Sequence, residues 1–512
     1  MRLSSPISYV LVLLAAAVLY VATCAPGPLW QDSGMFQYRI WHGDLNGGLG
    51  LALAHPLYIL IGMAAKAVPV GGYAYRINLI SAIAAAVAVA NVFLLVRLWL
   101  GRAVPALLAA VSLALSWTFW QHACIAEVYT LYAAWLTTEW LILWMFTRSR
   151  RARWLILLGL VNGLSVATHM WGVIPLAFYG VFLLFAGWRK HVRFAVLPGF
   201  MLAWILGALP YLGLVAAHAI QSGDLGATLR SACFGDKWAS AVLNMQLSAR
   251  VLGENLLFIA YSFPTPNLLL AAVGAWWLWR DRSPYRPGRW LLAVGLLFLA
   301  FAFRYIVPDR YAFFLPFYAA CAVWMGFGAD RLLASVSDNV KGAATVGLLG
   351  LALLPIAVYA VAPSIARHME VDLGTRRTIP FRDDYAYFLQ PWQCGNHGPA
   401  QFAAAALTDL PTDAIVLADG TTVYALWYAQ AVEGLRADVR IVSSHGDYRS
   451  PLPEPDAATL QHWLSETGVY VVSPVLGYCP AFLLGKEYDL EPAGPLYRIT
   501  LRGTPGTERT EG

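Results

Sequence analysis

The chain has 512 residues, 59% of them hydrophobic and 12% charged, with a mean hydropathy of +0.58. A soluble globular chain carries about 25% charged residues, so the composition excludes a soluble enzyme, even one held by a single anchor, and describes a polytopic membrane protein. The formal net charge of +6 does not point to nucleic acid, because the basic residues cluster in short loops, where they report topology.

A membrane helix needs about 20 mostly apolar residues. On that rule spans are predicted near 7–25, 77–98, 103–121, 129–147, 153–169, 171–187, 194–217, 256–279, 290–306, 311–332 and 342–362, about eleven in all. The first could pass for a signal peptide, but no clean small-residue cleavage site follows it, so it is read as a span. The pair across 153–187 reads equally as two short helices meeting at His169. Loops rich in basic residues (Arg97 and Arg102; Arg148–Arg153; Arg189–Arg193; Arg280–Arg289; Arg331 and Lys341) alternate with loops poor in them. The positive-inside rule makes the rich loops cytoplasmic. The N-terminus is then inside. Residues 30–72, Glu127, His169, 218–255, the 304–310 turn and the whole C-terminal part are outside. The domains read as 1–363, a membrane domain with a first outer loop at 26–76; 364–503, an extracytoplasmic α/β domain; and 504–512, a disordered tail.

The most informative stretch runs from 30 to 81. Asp32 stands where the chain leaves the first span, and Gly34 allows a tight turn. His55 and Pro56 open a helix of about 14 residues, too short to span and read as lying in the outer interface. Arg76 and Asn78 open the next apolar run. The loop 218–255 offers a second interfacial helix, around 238–252. Polar groups at a membrane boundary are costly unless used or solvated, so 30–81 reads as an active-site loop on a helical scaffold.

After about residue 364 the chain turns polar and rich in Pro and Asp. Residues 414–419 read as a strand and 421–434 as a helix; 439–444 and 469–474 read as further strands with a helix at 457–466 between them, and 497–501 as a last strand. That alternation predicts a small α/β domain with a partly parallel sheet. The six cysteines form no CxxC zinc pattern. Cys394 and Cys479 share the exported part, where a disulfide between them is chemically allowed.

Several groups could carry chemistry. Asp32, about seven residues beyond the first span, can take a proton from an acceptor hydroxyl; a solvated loop carboxylate or helix cap explains it too. Glu127, near His122, Tyr129 and Tyr132, is a second acid at the outer face, or else an interfacial charge reaching for water. Arg76, Arg304 and Arg310 lie at outer span ends, where a guanidinium fork can hold a phosphate or pair with lipid head groups or Asp309. His55, His122 and His169 match no zinc spacing and read as hydrogen-bonding groups; a satisfied core histidine explains His169 as well. Asp419–Thr421 sits at a strand-to-helix turn, where an α/β domain can bind a ligand or simply turn and cap.

Those residues also carry a resemblance. DSGMFQ, then AHPLYILIG, then YRINLISAI, resembles the "DSGEF…HPPGYPLY…RVNL" signature of a family first catalogued as a domain of unknown function. That family belongs to the GT-C superfamily of integral membrane glycosyltransferases and includes animal enzymes that O-mannosylate plexin-type extracellular domains. SWTFWQHACIAEVYTLYA is similar to its "FWSQAVIAEVYALH" stretch, THMWGVIPL to its "NH" or "TH" motif, and ADGTTVYALWYAQAVEGLRADVRIV to its "TNGDNDTYPLWYLQEVEGVRPDVRVV" region. Met35 stands where the family has Glu, Leu57 where it has a second Pro, and the gap between the first two motifs is longer and Gly-rich.

The resemblance implies a GT-C-like α-helical membrane protein that moves a sugar, mannose or another hexose, from a polyprenyl-phosphate donor to an acceptor hydroxyl at the outer face of the inner (cell) membrane. By match, Asp32 is the catalytic carboxylate, with Glu127 at the second acidic position. Arg76, Arg304 and Arg310 are expected at the donor phosphate. His55, Tyr58, Asn78, His122, Tyr129, His169 and Asp309 are expected to bind substrate. No cofactor is certain; a divalent metal is allowed. The acceptor is a protein Ser or Thr, a glycolipid or a polysaccharide, and membrane lipids are the other partners. Two rivals stand beside this reading. A transporter or lipid flippase should show paired broken helices and charges near mid-membrane, whereas here Glu139 is the main such charge. A catalytically inactive envelope scaffold would have no use for Asp32 and Glu127.

Overall fold

The computed structural model describes residues 5–190, 192–236, 239–242, 244–283, 286–307, 309–444 and 450–502. The predicted tail, 504–512, lies outside them, as do Trp238 and Leu243 of the second expected interfacial helix. The described part of that loop holds helices Leu225–Phe234, Ala239–Val242 and Ala249–Ser262.

The membrane domain is a helical bundle. Among the described residues, seven helices are long and apolar enough to cross a membrane, and two further bent pairs bring the number to nine. The eleven predicted spans exceed this because two helices fall short of a span's length or composition. Ala152–Thr168 has 17 residues, and Tyr129–Ser149 carries Thr137, Thr138 and Glu139 at its centre. Two of the predicted spans, near 103–121 and 256–279, are broken. Helices Ala103–Ala114 and Trp117–Ala123 meet at 67°, and Ala249–Ser262 meets Pro266–Trp279 at 108°. Pro264 and Pro266 flank the second break, where a proline removes a helical donor and disfavours helix in the residue before it.

The bundle's centre is helix Arg310–Ser335, whose most apolar stretch is wholly buried. It crosses Leu269–Trp279 where a Cβ on Gly274 would strike the Trp324 carbonyl and one on Gly328 the Leu270 carbonyl. Only residues without side chains permit backbones so close. In contrast Pro6–Thr23 and Asp338–His368 bury little of themselves and present Leu and Val outward, as a lipid-facing helix does.

The C-terminal domain carries strands β1 (Ile415–Ala418), β2 (Arg440–Ser443), β3 (Val469–Val471), β4 (Tyr488–Ala493) and β5 (Leu496–Leu501). The sheet order is β2-β1-β3-β5-β4. Strand β1 pairs in parallel with β2 and β3, and β5 runs antiparallel between β3 and β4. Strand β1 is buried throughout, as a central parallel strand should be. Helix Val423–Glu433 returns the chain from β1 to β2, the alternation read from the sequence. Cys394 is exposed and Cys479 buried, both as free thiols. The disulfide left open by the sequence is not formed. Cys394 lies on the segment that Gln393 ties to Thr23, its N–H donating to the Thr23 carbonyl (2.8 Å), while Cys479 packs under the sheet with Leu460 and Leu483.

Candidate active site

A cavity of about 610 Å³ opens where the C-terminal domain meets the helix ends. It is assembled from stretches far apart in sequence: Asp32 and Arg39, His55, Glu127 and Tyr129, His169 and Trp171, Arg304 and Asp309, and, from the C-terminal domain, Gly420, Tyr424 and Ser443.

Asp32 lies in the first turn of helix Gln31–His42, with Trp30 at the cap position. A carboxylate there meets the positive end of the helix dipole. The helix start is fixed to the C-terminal domain by the Gln31 N–H, which donates to the Thr421 carbonyl (3.1 Å). Gly34 is not in a turn, as the sequence suggested, but inside this helix. Its missing Cβ lets the Leu29 carbonyl and Tyr424 approach. Seven residues and two turns on from Asp32, Arg39 faces the same cavity. Its guanidinium is buried, with Nη2 donating to the carbonyls of Ala54 (2.7 Å) and Leu45 (3.2 Å).

Glu127 comes from the loop between helices Trp117–Ala123 and Tyr129–Ser149. Ser33, beside Asp32, donates its hydroxyl to Glu127 Oε1 (3.1 Å). Ser81 holds the same residue by its backbone, donating to the Glu127 carbonyl (2.9 Å) and accepting from its N–H (3.1 Å). Two acids 95 residues apart in the chain are thus joined through one serine. Asp309, from the turn before Arg310–Phe314, brings a third carboxyl to the wall. Burial, then the charges of Asp32 and Asp309, push the Glu127 carboxyl well above the usual carboxylate range. Burial and Asp32 push Asp309 up to about 7. Like charges sharing a poorly solvated site favour protonation of some members. Asp32 is exposed in the cavity.

The remaining predicted residues divide. His55 and His169 line the cavity with their rings stacked, centroids 5.0 Å apart. Burial and the neighbouring Arg39 lower His55 to about 3, so it is neutral. Tyr129 lines the cavity stacked on Trp171 at 5.3 Å. Arg304 does so too, its guanidinium donating to the Val242 and Asn244 carbonyls.

The structure puts Arg76 and Arg310 elsewhere. Arg76 donates to the carbonyls of Lys66 and Val68 (2.9 Å), closing the C-terminal end of helix Pro56–Ala65. Arg310 pairs with Glu254. Neither is part of the cavity wall; each meets backbone or acid groups that the linear sequence does not place beside it. Asn78 also stands behind the wall, where it accepts from Gln37 (2.9 Å) and donates to the Ala25 carbonyl (2.9 Å), anchoring the Asp32 helix. Tyr58 is buried against Phe36, ring centroids 5.2 Å apart. His122 turns its Nδ1 to the Thr118 carbonyl (2.7 Å). Sequence reasoning passed over Arg39, Trp171, Tyr424 and Ser443. For Arg39 the signal was present, a seven-residue offset from Asp32 on an outer helix; for the others it was not. Among the described residues, no group of three or more His, Cys, Asp or Glu is placed to hold a metal ion.

Two family models match the chain. Residues 51–192 match the protein O-mannosyl-transferase TMEM260 N-terminal domain, and residues 399–445 match the TMEM260-associated domain 2. The Asp-Ser-Gly stretch lies just before the first match. Among solved structures, ArnT from Cupriavidus metallidurans bound to undecaprenyl phosphate is similar over 96% of this chain and 97% of that one, at 13% identity and a TM-score of 0.61. An Archaeoglobus fulgidus oligosaccharyltransferase in complex with Zn and sulfate is similar over 90% of this chain and 67% of that one, at 15% identity and a TM-score of 0.47. No curated protein matches the chain.

Proposed function

We propose that this integral membrane glycosyltransferase of the GT-C type moves a sugar, mannose or another hexose, from a polyprenyl-phosphate donor to an acceptor hydroxyl at the outer face of the membrane. The observation that carries the proposal is the cavity itself. Three carboxyls and two arginines line one space between helix ends and the C-terminal domain. The whole-chain likeness to ArnT, a structure bound to undecaprenyl phosphate, supports a lipid-linked donor. The basic loops support a cytoplasmic N-terminus and an extracytoplasmic C-terminal domain.

In this reading the polyprenyl chain stays among the helices and its phosphate rests at the interface. Arg304 faces that phosphate, where a guanidinium stabilises the charge that develops as the bond from the sugar C1 to the phosphate oxygen breaks. Asp32 accepts the proton of the acceptor hydroxyl while its oxygen bonds to C1. Phosphate leaves on one face as the acceptor arrives on the other, so the configuration at C1 inverts. Glu127, kept protonated, orients Asp32 and the acceptor. Gly420, Tyr424 and Ser443 form the acceptor side.

The test is sugar release or transfer from a labelled polyprenyl-phosphate hexose by the protein in nanodiscs, wild type against Asp32→Asn, with and without EDTA. Turnover by the wild type that Asp32→Asn loses supports the proposal. Equal turnover by both removes Asp32 from the mechanism, and sensitivity to EDTA brings a metal into it.

A further inference from the structure

His55 and His169 share one wall of the cavity, more than nine-tenths buried and stacked. Their hydrogen bonds settle their tautomers. His55 Nδ1 lies 2.9 Å from the Thr168 carbonyl, an oxygen that only accepts, so Nδ1 carries the proton and Nε2 keeps a lone pair. His169 Nδ1 lies 3.1 Å from the Trp171 backbone N–H, which only donates. That nitrogen is therefore the acceptor, and in the neutral ring the proton sits on Nε2.

The two neutral rings are thus opposite in kind. Among the described residues, neither Nε2 has a protein partner, and neither is among the sealed polar atoms that lack one. Both open to the cavity. The surroundings are aromatic. Trp171 lies 4.2 Å from the His169 ring, Tyr129 5.8 Å from it, and Phe36 5.7 Å from His55.

We infer that His55 and His169 form a subsite that reads two neighbouring hydroxyls of an uncharged donor pyranose, one donating to His55 Nε2 and the next accepting from His169 Nε2–H, with Trp171 and Tyr129 against the sugar's apolar face. A sugar hydroxyl both donates and accepts, so a vicinal diol matches an acceptor set beside a donor. A carboxylate on the sugar would find one lone pair facing it, and an ammonium one N–H, each an unpaired clash in a buried wall. The sequence hides this pair, because the tautomers depend on Thr168 and Trp171, residues that flank one histidine and lie over 110 positions from the other.

The inference rests on the polyprenyl-phosphate donor proposed above, and its test reads binding rather than turnover. His55→Asn and His169→Asn are the variants. Asparagine can keep the inner contact, to the Thr168 carbonyl or from the Trp171 N–H, while removing the nitrogen that faces the cavity. Affinity is measured by tryptophan fluorescence in nanodiscs for two probes, a polyprenyl-phosphate hexose and bare polyprenyl phosphate. The wild type should bind the sugar-bearing lipid more tightly. Each variant should lose roughly 10- to 100-fold for that lipid and nothing for the bare one. Deoxy analogues of the hexose sharpen the result, since the analogue lacking the hydroxyl that a variant can no longer hold should bind wild type and variant alike. Unchanged binding of the sugar-bearing lipid by both variants, equal losses for both lipids, or a wild type that does not distinguish the lipids overturns the subsite. Failure of the donor proposal shows differently, as a wild type that binds neither lipid, and it takes the subsite with it.

Discussion

Glu127 and Glu139 stand twelve positions apart in the sequence and are both buried, yet their surroundings are opposite. Glu139 is sealed inside the bundle. Tyr179 donates its hydroxyl to Oε2 (2.8 Å), and Asn162 donates to Oε1 (3.1 Å) while accepting from the Trp204 indole (3.1 Å). Three helices meet on that carboxyl, a fourth braces it through Asn162, and its oxygens are engaged. Glu127 faces a cavity, takes one side-chain hydrogen bond from Ser33, and shares its space with Asp32 and Asp309. A satisfied buried acid supports structure; a buried acid that opens on other acids is arranged for chemistry. The comparison shows that Glu139, the mid-membrane charge that would suit a transporter, is a packing element here.

The largest expected effect is at the acid nearest the water. Asp32→Asn should lower transfer by roughly 10²- to 10⁴-fold with no change in melting temperature, as checked by turnover and thermal unfolding on one preparation. The two glutamates should then separate. Glu127→Gln should cut turnover by on the order of tenfold or more and leave stability intact. Glu139→Leu should do the reverse. It strands the Tyr179 hydroxyl and one Asn162 N–H, the other staying with the Gly172 carbonyl, at about 1–3 kcal/mol for each group, so the melting temperature falls while the folded fraction keeps its specific activity. A crossed outcome, with Glu139→Leu stable but inactive, would break the comparison.

A third substitution acts on the opposite wall. A Cβ built on Gly420 meets nothing within 4 Å, so Gly420→Trp starts into open space and should fill the acceptor side, with thermal unfolding as the check on its fold. Transfer should fall several-fold further than hydrolysis of the donor by water; equal falls would place the acceptor elsewhere. The smallest effect is in pH. Asp309 holds its proton up to about 7 in the folded chain but only to about 3.9 when unfolded. Its stabilising effect is therefore complete below about pH 4 and is lost as the pH rises through about 7. Thermal unfolding should show stability declining over that window, and Asp309→Asn should flatten the decline. An unchanged slope would mean that another group sets it.

Much of this was legible in the chain. The Asp32 stretch, Glu127 within its aromatic neighbours, and the strand–helix alternation after 414 are local patterns, and the structure keeps them as elements in the predicted order. The arginines were not legible. Arg76, Arg304 and Arg310 look alike in sequence, each at the end of an apolar run. What separates them is the partner each meets, the carbonyls of Lys66 and Val68, the cavity, and Glu254. The bends at 115–116 and 263–265 escaped for a related reason, since hydropathy records apolar length and is silent on direction.

By itself the sequence determined that the chain lives in a membrane, roughly where it crosses, and that a small α/β domain follows, because hydrophobic length and periodicity are properties of neighbours along the chain. Tertiary structure alone decided which acids share a cavity, which arginines face it, and which nitrogen of each histidine is left to meet a ligand. Those depend on contacts such as Ser33 to Glu127 and His55 to Thr168, made between residues about a hundred positions apart and specified only when the helices pack.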